Sequence, residues 1–224
     1  MDVVGSTIRA ASSTGGQVLR AATGLVAVRP ADKPLHPRGS LLTGTLHRFG
    51  GEEPTGVPFL DDAGQDEVLV RLSLAVGLPS PVPDIFGLAL RVPIQADRHG
   101  DLLFATTGLG RLTRFTLTPA RTSRSRPMTT LLPYRTPAGP VVMSAVLDDD
   151  GVTLAWAIGA GGWHRFAVLS LDEEPVGDGD TRPSFDPIRH TLPGLDNYPW
   201  VRRLREPSYL AARRSRRSRA PVPG

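Results

Sequence analysis

The stretch Val141-Val142-Met143-Ser144-Ala145-Val146-Leu147, then Asp148-Asp149-Asp150-Gly151, then Val152-Thr153-Leu154-Ala155-Trp156-Ala157-Ile158 decides the fold class. Branched and aromatic side chains favour extended backbone on either side, while Asp and Gly accept the unusual dihedrals of a tight reversal. The pattern predicts an antiparallel hairpin. Similar runs recur upstream and downstream between turn residues: Ser40 to Phe49, Glu67 to Leu74, Phe86 to Val92, Asp101 to Thr107, Thr129 to Thr136, and Trp163 to Leu171. In the second of these, Val68, Val70, Leu72 and Leu74 share one face, and Leu69, Arg71 and Ser73 the other. With the hairpin strands the set comes to eight, enough to close a barrel around side chains or one ligand. The expected fold is therefore mainly β with some α: an eight-stranded antiparallel β-barrel with an N-terminal arm and a C-terminal helix.

The flanks divide the chain. Residues 1–32 carry spaced apolar positions (Val3, Val4, Ile8, Val18, Leu19, Leu25) among Ser, Thr, Ala and Gly, and read as a helix or arm closed by Pro30 and Pro34. Residues 33–212 form the barrel domain with its C-terminal helix, and 213–224 a basic disordered tail. Between Arg111 and Thr118 the pattern fits a further strand or a crossover helix equally. Residues 172–198, acidic and then rich in Gly, Pro and Asp, read as a long loop. A helix from about Tyr198 to Arg217 follows, bearing Trp200, Val201, Leu204, Tyr209 and Leu210.

Composition excludes several chemistries. A chain of 224 residues with 40% hydrophobic residues buries a sizeable single core. There is no cysteine, which removes disulfides, thiolate metal sites, Cys nucleophiles and thiolate-ligated haem. No run approaches the roughly 20 apolar residues of a membrane helix, and the N-terminus lacks the pattern of a signal peptide, so the expected location is the cytoplasm, with no membrane span. The net charge of +4 belongs to the end of the chain. Arg213, Arg214, Arg216, Arg217 and Arg219 lie there, and removing their five charges leaves the body at about −1. Such a tail contacts polyanions weakly and in a salt-sensitive way; no aromatic side chains are interleaved with it for base stacking, so no dedicated nucleic-acid partner is expected. Lys33 is the only lysine against 25 arginines, a skew that a GC-rich genome explains more simply than selection for guanidinium chemistry.

From Lys33 to Thr107 the order of features resembles the haem-binding core of catalases. Lys33-Pro34-Leu35-His36-Pro37-Arg38-Gly39 is similar to the segment presenting the family's distal histidine, and a Gly-containing strand, Leu41 to Phe49, follows. Gly64 and Val70-Arg71-Leu72-Ser73 come next, then Asp84-Ile85-Phe86-Gly87-Leu88-Ala89-Leu90 and Gly100-Asp101-Leu102. Near the C-terminus, Arg205-Glu206-Pro207-Ser208-Tyr209 has the Arg-x-x-x-Tyr spacing of the proximal helix. The resemblance implies a haem cofactor with Tyr209 as the iron ligand, held anionic by Arg205 four residues before it. It implies that His36 handles the peroxide proton, that Arg71, from the inward face of its strand, pairs with a haem propionate, and that Ser73 orients His36.

The chain departs from the family at Thr106-Thr107, which stand where the distal asparagine is expected. A threonine hydroxyl does not reproduce an amide's donor and acceptor at the same reach, so Thr106 as a catalytic residue implies low or altered catalase activity. Pro207, favoured only in the first turn of a helix, falls between Arg205 and Tyr209. Two readings follow: a haem protein acting on hydrogen peroxide or an organic hydroperoxide, or a non-enzymatic barrel without haem whose interior is filled or holds a small apolar ligand. A homo-oligomer is compatible with both. Read without the resemblance, His36 is a loop residue between prolines, Arg71 faces solvent, and Tyr209 packs on the barrel with a wet hydroxyl. His47, His99, His164 and His190 are too scattered for a zinc motif, and Asp148 to Asp150 lacks the ligand spacing of a calcium loop. Gly159-Ala160-Gly161-Gly162 joins two strands, unlike a phosphate-cradling loop.

Overall fold

The computed structural model describes residues 38–205 apart from 52, 76, 78–80, 96, 125, 173–174 and 177–182. The arm expected over 1–32 and the tail over 213–224 lie outside the described residues; of the expected C-terminal helix, residues 199–205 are helical and the remainder lies outside them.

Among the described residues ten strands form: β1 (Arg38–Phe49), β2 (Ala63–Leu74), β3 (Phe86–Gln95), β4 (Arg98–Thr106), β5 (Met128–Thr129), β6 (Tyr134–Thr136), β7 (Gly139–Leu147), β8 (Val152–Ile158), β9 (His164–Leu171) and β10 (Asp196–Asn197). Each strand of the ring pairs antiparallel with the next, β1-β2-β3-β4-β5-β7-β8-β9, and β9 returns to β1. The result is a closed eight-stranded antiparallel barrel. β6 lies beside the other half of β7, and β10 pairs with β6.

The hairpin that decides the fold class forms as its sequence dictates. Val141 pairs with Ile158 and Leu147 with Val152, and the Asp148 amide donates to the Gly151 carbonyl at 3.0 Å. Gly159 to Gly162 is likewise a turn, the Gly161 amide donating to Ile158. The expected run Thr129 to Thr136 is not one strand. It breaks between β5 and β6 at Leu131, whose φ of 60° takes it out of the extended region. Two local bonds hold the reversal, Leu131 N–H to the Thr129 hydroxyl and Leu132 N–H to the Thr130 carbonyl, while Pro133 has no N–H for a ladder. The ambiguous segment 111–118 contains a 3₁₀ turn at Thr113–Phe115 and no strand. That turn buries Arg114, whose guanidinium donates to the carbonyls of Leu109, Gly110 and Gly159 and lies over the Trp163 ring.

Alternation places one side chain in two inside the barrel. Leu46, Val68, Val70, Leu88, Leu90, Leu102, Phe104, Met128, Met143, Leu154, Trp156, Phe166 and Leu169 form one continuous buried cluster. A short helix, α1 (Pro58–Asp61), belongs to this core; no sequence signal marked it. Its Phe59 packs edge-on to Phe166 at 5.7 Å, and Arg48 lies over Phe59 while bonding Asp66 at 2.8 Å. The turn before α1 is tied by Asp61, whose carboxylate accepts from the amides of Thr55, Gly56 and Val57 and from the Thr55 hydroxyl. Burial pushes the Asp61 pKa up, but these donors outweigh it and hold the group below its ordinary value.

Two expectations follow. At the β1–β9 seam a Cβ on Gly44 would lie 2.4 Å from the Ser170 carbonyl oxygen, so Gly44→Ala forces the strands apart and costs about 1–3 kcal/mol in urea unfolding. Because the folded pKa of Asp61 is depressed, its contribution is present above the ordinary carboxylate value of 3.8 and lost as pH falls through the folded value. Asp61→Asn therefore costs about 1.5–3 kcal/mol at neutral pH, and the gap between wild type and variant narrows in unfolding curves taken at acid pH.

Candidate functional site

Two of the residues singled out by the resemblance, His36 and Tyr209, lie outside the described residues. The other four do not converge. Arg71 is expected on the inward face of β2 but stands on the outer one: Val68, Val70 and Leu72 take the interior, and alternation turns Leu69, Arg71 and Ser73 outward. Arg71 is half-buried between its strand partners Leu41 and Ala89. The Ser73 hydroxyl reaches the carbonyl of Gly87 at 3.4 Å.

Thr106 occupies the opposite side of the wall. It follows Phe104 by two on the inner face, pairs with Met128, and accepts a hydrogen bond from the Phe86 amide at 3.2 Å. Arg205 donates to the Thr130 carbonyl at 3.0 Å and acts electrostatically on a different tyrosine, Tyr134. Burial pushes the Tyr134 phenol up, and the Arg205 charge and its side-chain hydrogen bond to the phenol oppose that. Against haem, the four described residues do not fit as a set. Arg71 and Ser73 are separated from Thr106 by the barrel wall, and the interior is occupied by Trp156, Phe166 and their neighbours.

Among the described residues a polar constellation lies on the outer face of β3 and β4. Arg91 and Asp101 are paired across the hairpin, with Nε to Oδ1 at 2.9 Å and the second nitrogen to Oδ2 at 3.1 Å. Asp101 is buried, and a segment returning from β9 docks on it. Its Oδ2 accepts from the Asp186 amide at 2.7 Å, and its own amide donates to the His190 carbonyl at 2.8 Å. Arg91 donates to the Ser184 carbonyl and stacks over Phe185. Beside the pair, Leu192 packs where Gly100 has no side chain; a Cβ there would sit 2.5 Å from Leu192 Cγ.

That docking brings His190 onto His99, with ring centroids 4.3 Å apart and planes tilted by 32°. The spacing of histidines in the sequence pointed away from any such pair; the fold makes it between residues far apart in the chain. Burial holds the His99 pKa below its ordinary value, Arg91 and His190 push the same way, and Asp101 opposes them. Next to His99 a cleft of about 300 Å³ opens between Glu67, Leu69, Arg91, Pro93 and Arg98. Its lining mixes guanidinium, carboxylate and imidazole.

No protein-family model matches the chain, and a comparison with curated proteins finds no match.

Neither the Asp101 hub nor the His99–His190 pair was singled out from the sequence as a site. One signal for the first was present: Arg91 and Asp101 interrupt apolar runs on facing strands of a hairpin, where a buried charge needs its opposite. Nothing marked His190 within its loop. Asp101→Asn is expected to cost about 2–3 kcal/mol by removing charge-assisted bonds to Arg91 and Asp186. Hydrogen exchange at the amides of Asp186 and His190 should rise with it, whereas unchanged exchange there would show that the segment is held by other contacts.

Proposed function

We propose that this protein is a non-enzymatic binding module, built on a barrel of the catalase kind that works without haem and presents the outer wall of β2 to β4 to a small ligand. The observation that carries this reading is the division of the expected haem residues between the two faces of one wall, with the inner face filled by packed side chains. The packed side chains of the interior speak against a small apolar ligand inside the barrel. The cleft beside His99 is a concavity on that wall, and Arg98 among its lining residues suits a ligand bearing a carboxylate or phosphate.

The competing reading is haem with peroxide or hydroperoxide chemistry on the outer face. In its favour, Gly87 and Ala89 lie next to Ser73 and Arg71 in the register, a strip of small side chains along which a planar ring could lie. It needs His36 and Tyr209 to meet there.

An absorbance titration of the purified full chain with hemin separates the two. The binding-module reading expects no Soret band beyond that of free hemin and no loss of hydrogen peroxide. A band of near-stoichiometric intensity, diminished in both Tyr209→Phe and Arg71→Leu, would overturn it and establish the haem reading in its place.

A further inference from the structure

The structure assigns to His99, Asp101 and His190 a binding site for a divalent transition-metal ion of the zinc type. The three side chains offer two imidazole nitrogens and one carboxylate oxygen, all within 4.8 Å of one another. Ligand atoms of a tetrahedral zinc site lie roughly 3.3 Å apart, so small ring rotations bring the set to coordination distance. Two imidazoles with one carboxylate is a donor set that suits zinc and its neighbours and leaves a fourth position open.

An unexplained atom marks the place independently. His99 Nε2 is sealed from solvent yet has no hydrogen-bond partner, and it stands 3.9 Å from Asp101 Oδ1, beyond hydrogen-bond reach. A buried polar nitrogen without a partner is costly, and an ion between it and the carboxylate satisfies both. The Asp101 oxygens are prepared unequally. Oδ2 takes two donors, from Arg91 and the Asp186 amide, whereas Oδ1 takes only the Arg91 Nε and keeps a lone pair for a metal. Arg91 thus orients the carboxylate as a positioning residue, and its charge makes the site weaker than three ligands alone would be. His99 also helps to line the neighbouring cleft, from which water or an anionic ligand would complete the sphere.

The inference stands apart from the function proposed above, since a metal at this position neither requires nor excludes a cleft ligand. The test is calorimetric titration of the chelator-treated full chain with Zn²⁺, with Co²⁺ as a visible probe. The expected result is one equivalent bound, a tetrahedral Co²⁺ absorption band, and affinity reduced at least tenfold in both His99→Ala and His190→Ala. His47→Ala, at an exposed position on β1, should bind as wild type does. In the unaltered protein, Zn²⁺ should shift the imidazole proton resonances of two of the five histidines, a readout that survives if a variant fails to fold. Absence of binding, or binding that both alanine variants retain, would overturn the assignment.

Discussion

Closure of the sheet between β9 and β1 is the constraint on which the rest of the molecule depends. Once the ring is shut, each strand has an inside of limited volume and an outside, and every residue's face is decided by parity. The seam tolerates no side chain at Gly44, where β1 passes the Ser170 carbonyl, and just beyond it the Thr43 hydroxyl is tied to Asp172. The interior is then filled by Leu, Val, Met, Phe and Trp, with α1 adding Phe59 and Leu60. A core so packed leaves polar chemistry to the outer wall.

On that wall, the buried carboxylate of Asp101 organises what surrounds it. Removing a charge from water is expensive, and the cost is met by three donors to the carboxylate, two from Arg91 and one from the Asp186 amide, while the Asp101 backbone N–H donates to the His190 carbonyl. The arrangement fixes a segment that has no strand or helix of its own for much of its length, and it delivers His190 to His99. A loop residue becomes as precisely placed as a strand residue because its neighbours in the chain are anchored to the sheet.

Strands were legible in the sequence because alternation and turn chemistry agree, as in Val141 to Ile158 with its Asp-Gly reversal. The break at Leu131 was not, since a leucine with positive φ contradicts local preference and is imposed by bonds to Thr129 and Thr130. The little helix at Pro58–Asp61 was hidden for a related reason: its cap is a carboxylate at its own end, reaching back to the amides of Thr55, Gly56 and Val57. The Arg71 face was misjudged because alternation distinguishes two faces without naming the inner one. His99 and His190 meet only through tertiary docking, and no spacing rule reports that.

The seam also dictates the order in which the chain can complete itself. Most pairings join neighbouring strands and can form as the chain emerges from the ribosome, but the contacts from Thr43 to Asp172 span 129 residues. Until β9 is made, β1 stands as an open edge, the geometry that invites pairing with another chain. Of its outward positions, Thr43, Thr45 and His47 are polar, and Thr45 is bonded to Glu67 on β2. Polar groups at these positions discourage a stranger's strand, so β1 carries its own protection for the interval before β9 closes the ring.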